Sequence, residues 1–504
     1  MLVMSSRRRW LVTIGVMTGM LLAALEATVV GTAMPTIVAA LGGLAHYSWV
    51  FSAYLLTSTV TVPVWGKLSD LFGRRRLFQI GVFMFLFGSA ACGLAQSMTQ
   101  LIVARAVQGL GAGALVPLAM TIIGDIFTLQ ERAKMQGLFS GVWGVSSVFG
   151  PLVGGFITDQ LSWRWVFLIN LPVGIAAAAI IGFALVEPPR RETPAIDYLG
   201  AAVLTGAVTI LLLVLGAQDL VTPRNLLLLL LVVAALVWFV RIEKRAADPV
   251  VPLGLFRNRI VSAAVGVGFL AGISMFAAIT FVPLLAQGVL GTSATEAGSF
   301  LTPLMISWVL ASIVGGRLLI RLGTRALVFG GLILMLVGFI ALAAFTRDTP
   351  RLVLMLELIA IGAGLGLTML TLLIASQHSV TRDQLGITTS LNQFSRSIGG
   401  ALGVAILGAL LASGLAEYAH DPNALVNAEA RARIAPAELA QLQGALEETL
   451  RLIFAASAGV VALAILGAFA IPAGRVGAAV HDGSGQRLVM AEMTNIDAGH
   501  EPEA

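Results

Sequence analysis

The feature that most constrains this chain is a ladder of long apolar runs. A helix needs about twenty mostly apolar residues to cross the hydrocarbon core of a bilayer. Runs of that kind lie near 10–33, 48–66, 77–96, 99–122, 136–158, 163–186, 198–217, 225–241, 260–286, 296–320, 326–346, 351–375, 386–415 and 451–471. Roughly fourteen such segments, with only short links between them, predict a multi-pass membrane protein. Composition agrees: 58% of the 504 residues are hydrophobic and 11% charged, whereas a soluble domain carries about a quarter charged residues. In lipid each backbone donor and acceptor has to be met within its own segment, so spans of this length are helices. The expected fold class is all-α integral membrane.

Charge sets the orientation. The formal net charge of +5 would suit nucleic acid if the bases lined one polar face, but they fall in short clusters at span ends. Arg7 to Arg9, Lys67 with Arg74 to Arg76, Arg132 with Lys134, Arg190 with Arg191, Arg241 to Arg259, Arg317 to Arg325, Arg382 and Arg475 all fall on one side if the spans alternate. Basic residues near span ends favour the cytoplasmic side. Both termini are therefore expected in the cytoplasm, and residues 416–449 outside. Within that outer segment Pro436 to Leu450 reads as a short amphipathic helix, and the tail 476–504 as disordered.

Three motifs recur in the same order in the two halves of the chain. Gly66 to Arg76 is echoed by Gly316 to Arg325, Gly109 to Gly113 by Gly362 to Gly366, and Gly150 to Gly154 by Gly399 to Gly403. The repeat implies a six-helix bundle over 1–190, two inserted helices with a linker over 191–250, and a second six-helix bundle over 251–475. Repeats of this kind place a substrate site at their interface, near the midplane.

Charges inside spans are costly, so their positions carry meaning. Glu26 sits about seven residues, roughly 10 Å, from the outer end expected for the first span, and Arg105 about six residues, roughly 9 Å, into the fourth. Equal depth and opposite sign make them neighbours, either as a working pair at a cavity or as a static buried ion pair. In the second bundle, Glu357 and the mid-span Arg396 are set apart by the same cost, with Asn392 as a polar neighbour. Gly66, Asp70, Gly73 and Arg74 form a cytoplasmic turn whose acid is not required by orientation alone; it suits a helix N-terminus or a nearby base. Gly150, Pro151, Gly154 and Gly155 permit close helix contact and a kink.

Together these motifs resemble the major facilitator superfamily. The loop Gly66 to Arg76 is similar to the signature between its second and third spans, and Leu101 to Gly113 to its fourth-span signature. Gly150-Pro151-Leu152-Val153-Gly154-Gly155 resembles the motif that its antiporters carry and its symporters generally lack. Leu25 to Pro35 and Trp163 to Pro172 resemble the fourteen-span drug/proton antiporter branch. The resemblance implies that Asp70 docks on the span beginning near Gly386 and that Arg74 pairs with Asp125, both stabilising an outward-facing state. It also implies that Arg105 lies beside the protonation site, with Glu26 where the branch usually has aspartate and Gly31 where many members have asparagine. The antiporter motif is implied to help seal the path between the bundles.

The function expected is proton-coupled export of amphipathic drugs or toxic organic compounds, some of them cationic, across a bacterial cytoplasmic membrane. Export of a lipid or one dedicated metabolite is the alternative, with uptake symport behind it. No cofactor is expected beyond the proton gradient; the partners are substrate, protons and membrane lipid, and the chain is expected to be a monomer. An enzyme would need clustered catalytic or metal-binding groups, but His46, His378, His420, His481 and His500 are scattered. Gly109 to Gly113 lacks the Lys-Ser/Thr of a nucleotide loop. The single cysteine, Cys92, rules out an intramolecular disulfide.

Overall fold

The computed structural model describes residues 5–127, 129–186, 198–215, 222–246, 249, 251–381, 384–416, 425 and 435–472. Some side chains within its helices, those of Lys67 and Asp70 among them, lie outside that description. The described residues form helices α1 Ser6–Leu41, α2 Tyr47–Phe72, α3 Arg74–Leu94, α4 Met98–Ile126, α5 Leu129–Gln160, α6 Trp165–Leu168 and α7 Asn170–Ala184. These are followed by α8 Tyr198–Leu215, α9 Pro223–Glu243, α10 Arg259–Leu284, α11 Ala294–Leu322, α12 Thr324–Ala343, α13 Arg351–His378, α14 Leu385–Ala416 and α15 Pro436–Ala468. Within the described residues each apolar run of the sequence lies mostly on helix, and twelve helices are long and apolar enough to cross a membrane. Large apolar side chains cover their outer faces: Phe83 is 68% exposed, Phe183 85% and Leu227 67%. Such surfaces are stable only against lipid tails.

Helices α1–α7 pack as one bundle and α10–α15 as another. The repeated glycines show why the two resemble each other. A side chain at Gly109 or Gly113 would run into α2, and one at Gly111 into α3; Gly362 and Gly366 face α11 in the same way, and Gly364 faces α12. Gly150 and Gly154 lie against α1, and Gly399 and Gly403 against α10. Each bundle is thus built on the same close, glycine-lined crossings. Gly73 and Gly323 occupy matching turns with φ of +100° and +79°, a region that favours glycine.

The inserted pair is attached asymmetrically. Helix α8 packs on α9, on α2 of the first bundle and on α14 of the second, so it straddles one seam between the halves. Helix α9 turns most of its leucines outward.

Two expectations change. The first helix does not end near Ala33: it runs through Pro35 to Leu41, where Gly42, at φ +73°, donates its N–H to Val38. Proline removes one backbone donor, but the apolar residues after it carry the helix on. Glu26 therefore lies deeper in its helix than the sequence implied. Nor is there a separate amphipathic helix before the last span, since α15 is continuous from Pro436 to Ala468. No glycine or proline interrupts it at Leu450–Arg451. Its extension is held by Arg347, which bonds Glu447 at 3.0 Å and Gln443 at 3.2 Å. The tail 476–504 lies outside the described residues.

Candidate coupling site and the seam between the halves

Helix α1 carries Glu26 into the centre of the first bundle, and α4 brings Arg105 to it. The two side chains form an ion pair and are 2% and 1% exposed. An unpaired charge at such a site would cost several kcal/mol or more, and here the two charges meet each other and both carboxylate oxygens of Glu26 are engaged. Arg105 also donates to Gln108 Oε1 at 2.7 Å and to the Val50 carbonyl at 3.2 Å. Its guanidinium lies 4.1 Å from the Tyr54 ring centroid. The other oxygen of Glu26 accepts from Asn170 Nδ2 at 2.7 Å, and Asn170 reaches Ser89 Oγ at 3.0 Å. Gln108 donates to the same hydroxyl at 3.1 Å, and Ser89 donates to the Phe167 carbonyl at 2.8 Å. Side chains from α1, α2, α3, α4 and α7 thus meet in one closed polar network.

Sequence reasoning paired Glu26 with Arg105 but gave Asn170, Ser89 and Tyr54 no role. Asn170 stood in the Trp163–Pro172 motif, and a lone amide following an apolar stretch was the available signal. Arg164 of that motif caps α3, donating to the carbonyls of Gly93 at 2.9 Å and Ala95 at 2.7 Å. Gly31 also has a local reason: a Cβ there would come 3.0 Å from the Ile279 carbonyl of α10.

The remaining site residues are dispersed. Arg74 and Asp125 form an ion pair between α3 and α4. The side chain of Asp70 lies outside the described residues. Glu357 is buried and its Oε2 has no hydrogen-bond partner. Arg396 does not meet it; the guanidinium donates to Gln393, one turn earlier on the same helix. Asn392 donates to Ser376 Oγ at 3.0 Å and to the Thr388 carbonyl at 2.9 Å, tying α14 to α13. No cluster of metal-ligating side chains occurs among the described residues.

Among the described residues, the hydrogen bonds between the two halves lie towards one end. Tyr47 donates to the Thr280 carbonyl at 2.8 Å, Gln287 to that of Thr32 at 2.8 Å, and Ser52 to that of Ala401 at 3.3 Å. All lie away from the face that carries Arg74 to Arg76, here termed the basic face. Along the α5–α11 seam, Gly155 abuts the backbone at Ala294 and Gly298 the backbone at Pro151. Towards the basic face Gly144 meets only the Val309 side chain, at 3.7 Å, and a Cβ at Gly141 would meet nothing within 4 Å. The second seam behaves alike: Gly408 packs on Ser48, whereas Gly66 and Gly386 face open space. Among the described residues, the two seams are therefore closed at one end and open towards the basic face. A cleft of about 450 Å3, lined by residues including Leu152, Thr302, Pro303, Ile306 and Ile359, runs along the α5–α11 seam.

Comparison with known proteins adds to this geometry. Residues 16–404 match the model of the Major Facilitator Superfamily. The chain is 44% identical over 412 residues to the multidrug transporter protein MdtP of Bacillus subtilis, covering 81% of this chain and 76% of that one. It is 35% identical over 466 residues to multidrug resistance protein 3 of the same organism, covering 88% and 91%. Among solved structures, a bacterial homologue of the human lysosomal transporter Spinster, in an inward-facing and unoccupied conformation, superposes with a TM-score of 0.67. That match has 18% identity and covers 93% of this chain and 98% of the other.

Proposed function

Because this chain belongs to the major facilitator superfamily, we propose that it is a proton-coupled antiporter that exports amphipathic drugs or toxic organic compounds, cationic ones among them. The basic face is then cytoplasmic, in a bacterial cytoplasmic membrane, and the structure is the state that loads substrate from inside. The relatives named as multidrug transporters support the cargo class.

The observation that carries proton coupling is the closed network around Glu26. Among the described residues of the first bundle, Glu26 and Arg105 are its buried charged side chains. In this state both carboxylate oxygens are engaged, by Arg105 and Asn170, so a proton or cation reaches Glu26 only when the network opens. Burial and the guanidinium act on a carboxylate in opposite senses, and a change of access changes their balance. A proton and a cationic substrate then compete for one carboxylate, which yields exchange without a long-range pathway.

Glu26→Gln tests this, since it keeps the shape and can still hydrogen-bond Arg105. The expected result in inside-out vesicles is a folded protein whose export driven by a pH gradient falls to background, with Glu26→Asp retaining part of it. Parental export with unchanged dependence on the gradient would remove Glu26 from the coupling role and make Glu357 the next carboxylate to test.

A further inference from the structure

Asp159 occupies a position that its own helix does not favour. It is the penultimate residue of α5, where the carbonyl end of the helix dipole disfavours an acid. Its partners are all in the other half. The carboxylate accepts from the backbone N–H of Ala294 at 3.2 Å, from that of Thr295 at 2.8 Å and from the Thr295 hydroxyl at 2.5 Å.

These donors are ones that α11 cannot satisfy by itself. The first turn of a helix leaves its N–H groups without intrahelical partners. In α11 a capping box meets part of that need: Ser293 Oγ accepts from the Glu296 N–H at 3.2 Å, and Glu296 accepts from the Ser293 N–H at 3.1 Å. Ala294 and Thr295, the two positions between, receive their acceptor from Asp159 across the seam. The contact stands next to Gly155 and Gly298, where the two backbones approach most closely. It therefore joins a helix end with excess carbonyls to one with excess N–H groups, at the closed end of the molecule.

We infer that Asp159 is the latch of the gate opposite the basic face, a positioning residue whose bonds to α11 form on closure and break on opening. That this happens in each transport cycle rests on the export reading above; the latch itself does not. When the gate opens, the N–H groups of Ala294 and Thr295 pass to water, and the carboxylate loses its favourable helix end. The contact thus favours the closed gate while remaining exposed enough to release.

The test uses full-length protein in nanodiscs with spin labels at Leu161→Cys and Asp348→Cys, exposed positions on the two halves at that face. Cys92 is fully buried and stays unlabelled. Asp159→Ala should raise the population of long separations several-fold, with Asp159→Asn intermediate and Thr295→Ala a smaller shift in the same direction. A static cap would instead lower thermal stability and leave the distance distribution unchanged, and that result overturns the inference. If Asp159→Ala does not fold, Asp159→Asn decides by the same distances. Export by the same variants separates the two readings. A shifted distribution in a protein that exports no lipophilic cation keeps the latch and sinks the function. Parental distances in every variant of an exporting protein do the reverse.

Discussion

At the residue scale the chain stakes its first bundle on one charge pair. Glu26 and Arg105 are worth little as net stabilisation, because both had to leave water, yet removing one partner strands the other. Arg105→Leu should therefore cost about 3–5 kcal/mol, seen as a lower thermal midpoint in detergent. Adding Glu26→Gln to that variant should return part of the loss, since the stranded carboxylate is gone and Asn170 can bond the amide. A double variant no more stable than the single one would show that Arg105 matters through its bonds to Gln108 and Val50 and its stacking on Tyr54, rather than through Glu26. The pair itself was legible in the sequence, because a charge within an apolar run is conspicuous. Its neighbours were not: Ser89 and Asn170 are neutral, common in spans, and brought together only by the packing of α3 and α7 against α1 and α4.

At the scale of elements, apolar run length located the helices and the glycine motifs marked positions of close crossing, because lipid forces helix formation and small residues allow helices to approach. Helix ends were harder to read. Pro35 looks like a stop and is not one, and the outer part of α15 is polar enough to pass for a separate element although nothing breaks it. The seat of α8 on α2 and α14 has no signature in the mixed Ala, Val and Leu of its sequence. The glycines make a contrast that can be measured. Gly113→Val places a side chain against Thr61 and the Ser58 carbonyl, and overpacking of this kind costs about 1–3 kcal/mol. Gly141→Ala has free space in this state and gains helix propensity of up to about 1 kcal/mol. The first should lower the thermal midpoint and the second should keep or raise it. Gly141→Ala should nonetheless slow export, because α5 and α11 have to close on that position in the alternate state. Normal turnover of Gly141→Ala would mean that the seam does not close there.

At the scale of the whole molecule, the two seams tell one story in different residues. On α2 and α14, Ser52 bonds the Ala401 carbonyl, and continuing that antiparallel register by about fourteen residues brings Gly66 near Gly386. Both glycines face open space in this state instead. The signature loop begins at Gly66, and closure of this end is the state in which Asp70 is implied to dock on α14. A disulfide tests the movement, because it forms only when two Cα atoms come within roughly 4.4–6.8 Å. Gly66→Cys with Gly386→Cys should cross-link slowly under mild oxidant in the state described here, and faster in the Asp159→Ala background, where the opposite gate is released. The cross-linked protein should neither export nor respond to a pH gradient, and reductant should restore both. Buried Cys92 supplies no competing thiol. Rapid cross-linking that leaves export intact would show that the two ends meet without any change of access, and the alternation between the two faces would have to be sought at the α5–α11 seam alone.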